Sequence, residues 1–358
     1  MSFKSKIADL KVAIVHRRIK HHAKHSGYSS IFEHMQLDYA DNGIRSKIAS
    51  KMPGSLRWRL HLLRPQPVGD EGLIPELLAI STTASKDKGI CHFIYGEDTY
   101  FYTPIWQHKD KKVIATYHYP PVRLNERVNR AILKHLSAVI LMSESQRQWF
   151  EQYLPSDKIH VVHHHVNTEF FHPATKVNST DSKFRIVSLG GILRDMPLLL
   201  NVVEQLTERL GADNIEFNFL IPKDAREPFK KFPNVNLCGR ISDEELRSLY
   251  HNSTLGFMPL IDCTANNAVL EMMACGKAIV CSKAGGIGDY LDQQGALMFD
   301  QAIDAEQLVC DIIELLNTPQ KREEMGAYNR KRALNEFSLE KTADKLFAVY
   351  HQVAEFSR

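Results

Sequence analysis

The chain has 358 residues, 44% of them hydrophobic, and a formal net charge of +3. That is enough apolar material for two cores of roughly 170 residues each, and too little net charge to imply a nucleic-acid partner. Six cysteines with no C-x-x-C pair exclude a disulfide framework and a zinc cluster. The opening MSFKSKIADLKVAIVHRR is too poor in apolar residues for a secretory core, and no run approaches the roughly 18 apolar residues of a membrane span, so a cytoplasmic protein is expected.

Short β-branched runs alternate with stretches of helical period, the pattern of parallel βα units. In the first half the strand runs are KVAIV (11–15), CHFIYG (91–96), KVIATYH (112–118), AVILMS (138–143) and IHVVHH (159–164). Between the first two lies the basic run HRRIKHHAKH (16–25), whose histidines lack acidic or thiol partners at ligand spacing; it reads as a solvated loop, placed where an acceptor carrying phosphate would bind. SLRWRLHLLR (55–64) follows. On a helix, Leu56, Leu60 and Leu63 share one face and Arg57, His61 and Arg64 another, with Trp58 near the border. Two readings stay open: a helix lying on an anionic membrane surface, or an amphipathic helix packed on its own sheet. HPATKVNSTDSKF (172–184) is polar and turn-rich and reads as a linker. The second half repeats the pattern with FRIVSLG (184–190), IEFNFLI (215–221), VNLCG (235–239), LGFMPL (255–260) and KAIVCS (277–282). Continuous apolar strands of this kind are covered on both faces, so the fold class is α/β, two Rossmann-like doubly wound domains in tandem.

Ligands of such sheets bind beyond the carboxyl ends of the strands, and in a two-domain chain the main site is expected in the cleft between them. After LGFMPL, the segment IDCTANN leads into a helix beginning near Asn267, with Thr264, Asn266 or Asn267 as cap and an anion site at its positive end. Glu271 lies one turn further in, between Val269 and Leu270 on one side and Met272, Met273 and Ala274 on the other. A carboxylate in such a run is either buried with a partner or awaits a ligand.

NNAVLEMMACGKAIVCSKAGGIGDYL (266–291) resembles the signature of the retaining glycosyltransferases with the two-domain GT-B fold, in particular glycosyltransferase family 4 (glycosyl transferases group 1). KIHVVHHHVNTEFFHP (158–173), VNLCGRISDEELRSLYHNSTLGFMPL (235–260) and FSLEKTADKLFAVYHQV (337–353) are similar to three further family segments, in the family's order. The resemblance implies an acceptor-side domain over 1–173, a nucleotide-sugar domain over 174–336 and a C-terminal helix over 337–358 that returns to the first domain. It also implies roles. Glu271 aligns with the family's second glutamate, a ribose ligand; Asn266, Asn267 and Ala268 would offer backbone amides to the diphosphate or sugar; Gly285 and Gly286 form a turn facing the cleft. HSGYSS (25–30), with Gly27, stands where the family has a glycine loop, and His118 where it often has a histidine near the transferred sugar.

Three positions depart from the family pattern. Its first glutamate is Cys263 here, a role that Asp262 could take, and its Arg and Lys for the diphosphate are Gly191 and Met196, which leaves Arg194 or Arg240 for that charge. The implied reaction is glycosyl transfer from a nucleotide diphosphate sugar to a glycan or lipid-linked hydroxyl with retention of configuration, in surface polysaccharide, lipopolysaccharide or glycolipid synthesis. No D-x-D motif is evident, so no metal and no further cofactor is expected. The membrane reading of 55–64 would add a peripheral contact at the inner face of the membrane. Two other readings stand beside this one: a scaffold or nucleotide-sugar-binding subunit that has lost turnover, and a sugar-nucleotide epimerase.

Overall fold

The computed structural model describes residues 10–16, 25, 27–39, 53–55, 58–59, 70–86, 89–175 and 183–355. Residues 17–24 of the basic run, 56–57 and 60–64 of the amphipathic segment, and 176–182 of the linker lie outside the described residues.

Every strand run read from the sequence is a strand. They are β1 (Val12–Val15), β3 (Ile90–Phe93), β4 (Lys112–Tyr117), β5 (Ala138–Leu141), β6 (Ile159–Val161), β7 (Phe184–Leu189), β8 (Ile215–Leu220), β9 (Val235–Leu237), β10 (Leu255–Met258) and β11 (Ile279–Ser282). Two more were not anticipated: β2 (Asp38–Tyr39), beside β1, and β12 (Ala296–Phe299), beside β11. The strands form two six-stranded sheets, ordered β2-β1-β3-β4-β5-β6 and β12-β11-β10-β7-β8-β9, and every pairing is parallel.

The chain divides into two compact units, one from 1–22, 28–164 and 340–358, the other from 23–27 and 165–339. In the first, β4 reads KVIATY, and Val113 to Tyr117 are all fully buried, as a strand covered on both faces requires. The C-terminal helix Leu339–Glu355 is pinned to this sheet from within. Tyr350 Oη lies 2.7 Å from His92 Nδ1, and His92 Nε2 lies 2.7 Å from Thr116 Oγ1. Burial, with His118 nearby, pushes the His92 imidazole down to about 3, so it serves as a neutral hydrogen-bonding link.

The second unit has an apolar cluster on each face of its sheet. Ile186, Phe257 and Val280 belong to one, and their chain neighbours Val187, Met258 and Cys281 to the other, the two-residue alternation of a strand. The helix Asn267–Ala274 lies against β10 because Gly256 lets it approach: a Cβ there would come within 2.1 Å of Met272 Sδ. All seven residues from Ala268 to Ala274 are buried. The helix stops at Gly276, which takes the left-handed conformation (φ +69°), and Arg330 Nη1 donates to the Ala274 carbonyl at 2.9 Å, placing a cation at its negative end.

Candidate active site

In the second sheet the strand order reverses between β7 and β10, so a crevice is expected where their carboxyl ends part. The loop after β7 runs through Gly190 (φ +83°) and Leu193 (φ +54°). A leucine in the left-handed region costs about 1–2 kcal/mol. It is held there by the β10 loop, since Ile261 N–H donates to the Leu193 carbonyl at 2.9 Å and Asp195 N–H to the Pro259 carbonyl at 2.8 Å. Ser282 clamps the other side of that loop, accepting from Leu260 N–H at 2.6 Å and donating to its carbonyl at 2.7 Å.

Arg194 belongs to this framework. Its Nε donates to the Leu189 carbonyl and its Nη1 to the Ile192 carbonyl, both at 3.1 Å, so the guanidinium braces its own loop in the crevice. Gly191, where the family has an arginine, has no room for a side chain: a Cβ would fall 2.2 Å from Pro222 Cγ. Arg240 is exposed at the end of β9, two strands from β7, about 10 Å across the sheet.

The loops after β10 and β11 close on each other. Asp262 Oδ1 accepts from Cys263 N–H at 2.8 Å, and Gly286 N–H donates to the Cys263 carbonyl at 2.7 Å. Gly285, at φ +51°, approaches so closely that a Cβ would lie 2.1 Å from Asp262 Oδ1 and 2.3 Å from the Cys263 carbonyl oxygen. Burial pushes the Asp262 carboxyl above its ordinary range, with the Cys263 N–H opposing. Burial likewise pushes the Cys263 thiol up to about 12, with Arg194 opposing, so Cys263 is a neutral thiol and not a nucleophile.

Asn266 caps the next helix, its Oδ1 accepting from Val269 N–H at 3.3 Å, which leaves the helix start, with Asn267 and Ala268, beside the Asp262 turn. Glu271 is 3% exposed and its Oε2 accepts the Tyr250 hydroxyl at 2.6 Å. Of the alternatives for this carboxylate, the structure shows burial with a partner. Burial next to Glu271 raises Tyr250 well above the phenol range, so the phenol keeps its proton and donates it to this bond. The second unit thus carries Arg194 on the loop after β7, Asp262, Asn266, Asn267 and Ala268 on the stretch after β10, and Gly285 and Gly286 on the loop after β11, with Glu271 a turn into the helix. Tyr250 lies in the segment 235–260 already singled out in the sequence, but its pairing with Glu271 was not read there, because it lies 21 residues away on another helix, Asp243–Asn252.

In the first unit, His118 follows β4 at the sheet's carboxyl edge. Its ring lies between Tyr95 (centroids 4.6 Å apart) and the edge of Tyr28 (4.8 Å). Its Nδ1 is 3.4 Å from Glu97 Oε1, a buried carboxylate that also accepts His118 N–H at 3.3 Å. Glu97 had no signal in the sequence beyond following a strand. Gly27 is buried and, with His25, clusters with the second unit. There His25 stacks on Phe170 (3.9 Å, 5°), and its N–H donates to Asp243 Oδ2 at 3.2 Å.

Two Rossmann-like units with these sheet orders place the chain in the GT-B class of glycosyltransferase folds. A glycosyltransferase from Rickettsia africae superposes with a TM-score of 0.69 at 13% identity, over 97% of this chain and 99% of that one. Anabaena Alr3699/HepE, solved in complex with UDP-glucose, superposes with a TM-score of 0.62 at 14% identity, over 97% and 99%. Within that class, the family model described as glycosyl transferases group 1 matches residues 229–332, the stretch holding Asp262, Asn266, Glu271 and the Gly285 turn, so the resemblance to that family is borne out there. A curated relative, the MMP alpha-(1->4)-mannosyltransferase of Mycolicibacterium hassiacum, is 27% identical over 210 residues, which is 55% of this chain and 49% of the relative. The chain spans half or less of the length of the curated relatives it matches.

Proposed function

We propose that the chain is a glycosyltransferase that moves a glycosyl group from a nucleotide diphosphate sugar to a hydroxyl of a glycan or lipid-linked acceptor, with retention of configuration. The observation that carries this reading is the pair of loops after β7 and β10, where a capped helix start precedes Glu271 within the segment that matches the family model. The helix start suits a diphosphate, because its backbone dipoles point their positive end at the ligand. As the glycosyl bond breaks, negative charge grows on the leaving diphosphate, and dipoles already oriented towards it stabilise that charge without reorganising. Glu271 then accepts from the ribose hydroxyls, while Asp262 stands in for the carboxylate that Cys263 lacks. Among the relatives, HepE was solved with UDP-glucose, which makes UDP-sugars the first donors to test. No metal is required in this scheme. The role belongs to surface polysaccharide or glycolipid synthesis, on the inner face of the membrane, with 55–64 as the peripheral contact; no described helix is long and apolar enough to cross a membrane.

The second reading, a nucleotide-sugar-binding subunit without turnover, rests on one observation. Arg194, on the loop after β7, is tied to its own loop carbonyls, and Gly191 has no space for a side chain. One experiment separates the two. Incubation with UDP-, GDP- and ADP-sugars, with and without phosphorylated lipid or oligosaccharide acceptors, is followed by nucleoside diphosphate release and by NMR of the product's anomeric carbon. Release that depends on acceptor, with the donor's anomeric configuration kept, supports transfer. Binding without release supports the subunit.

A further inference from the structure

The amino ends of β4, β5 and β6 in the first unit surround a cavity of about 290 Å3, opposite the edge that carries His118. Its walls come from three approaches to the sheet: Lys109 and Lys112 lead into β4, Lys134 and His135 into β5, and Lys158 and His160 lie at the start of β6. The buried Lys111 and, from the C-terminal helix, Val353 also line it, with Gln107, Leu136 and Ser137, and Asp157 is its single carboxylate.

Ammonium groups gathered around one concavity repel each other, and low-dielectric walls concentrate their field. A bound anion removes that repulsion. Lys158 is committed, its Nζ donating to the Leu136 carbonyl at 3.0 Å. Among the described residues Lys109, Lys112 and Lys134 make no ion pair, although Asp110 sits nearby and faces His108 at 3.7 Å instead. Burial and Arg147 hold His160 below the ordinary imidazole range, so it adds a neutral hydrogen-bonding group to the wall. At about 3.3 Å per residue, the six-residue β4 puts roughly 20 Å between this cavity and His118. A ligand here cannot touch a sugar at that histidine.

We propose that this cavity is a second, non-catalytic site for a phosphate group, carried by a phosphate monoester or diester of the size of glycerol 3-phosphate and held by Lys109, Lys112 and Lys134. Its ligand comes either from solution or from the headgroup of an anionic lipid, and the chemistry at the lysines is the same.

The test titrates glycerol 3-phosphate into the full chain by calorimetry and, separately, sediments the chain with vesicles of phosphatidylcholine with and without phosphatidylglycerol. Lys109→Glu/Lys134→Glu is expected to weaken glycerol 3-phosphate binding at least tenfold, whereas Glu271→Ala leaves it unchanged, which separates this site from the donor crevice. Sedimentation that needs phosphatidylglycerol and is lost in the double variant assigns the lipid source. Binding in solution without sedimentation assigns the soluble one. Protection of Lys109, Lys112 and Lys134 from acetylation by glycerol 3-phosphate, at least threefold by mass spectrometry, reads the wild-type chain directly should the double variant fail to fold. Absence of both binding and sedimentation, or binding indifferent to the two charge reversals in a folded variant, overturns the proposal.

Discussion

A carboxylate enclosed by Leu270, Met272 and Met273 persists because a phenol hydroxyl reaches it, and the Tyr250–Glu271 bond is therefore both a packing element and a means of orienting Glu271. Tyr250→Phe keeps the shape and removes the donor. Stability should fall by about 1–3 kcal/mol, the cost of a buried acceptor losing a hydrogen bond, as urea titration would show, and nucleotide affinity should fall with it; an unchanged midpoint would show that the bond has no energetic role. Lys277 offers a pH test in the same region. Its Nζ donates to the His251 and Ser253 carbonyls at 2.8 and 2.9 Å, and burial lowers it from 10.5 to about 8. The folded chain sheds this proton first, so between pH 8 and 10.5 the unfolded chain binds more protons and stability rises with pH, while below pH 8 both states are protonated and the contribution is flat. Lys277→Met should flatten that rise in urea titrations run from pH 7.5 to 10. Glu271 was legible in the sequence because charge inside an apolar helix is conspicuous. The pairing of Tyr250 with Glu271, and Glu97 beside His118, were not, because a partner brought in by tertiary packing leaves no mark on local spacing.

The helix Asn267–Ala274 is defined by three local devices: the Asn266 cap, the Gly256 approach to Met272 and the Gly276 stop. Its start was legible, since asparagine before an apolar run is a cap signal. Asn266→Ala should cost about 1 kcal/mol, the usual value of a cap, measured by thermal or urea unfolding. Asn266→Asp keeps the cap and adds a negative charge where the diphosphate is placed, so stability should hold while nucleoside diphosphate affinity falls at least tenfold; equal affinity would move the diphosphate elsewhere. The ten strand runs were legible because continuous β-branched segments bounded by turn residues have few other solutions. β12 was missed because ALMF has no β-branched residue and is half-exposed at a sheet edge, and β2 because two residues make no pattern. The departure at Gly191 was visible as a missing cation, but its cause was not: Pro222 occupies the space a side chain would need.

The two sheets follow different strand orders, and each was foreshadowed only as a doubly wound unit; order is set by which crossovers pack, which strand runs alone do not specify. What the sequence carried furthest was the second unit, whose motif residues the fold gathers at the point where ligands of such sheets bind. The account stands on that crevice taking a nucleoside diphosphate with Glu271 as the ribose ligand. Calorimetric titration of UDP, GDP and ADP into the wild type and Glu271→Ala tests it directly. One nucleotide should bind the wild type, with at least tenfold weaker binding to a variant whose unfolding midpoint shows it is still folded. No binding by any of the three, or equal affinity in the two chains, would contradict the donor site as built here.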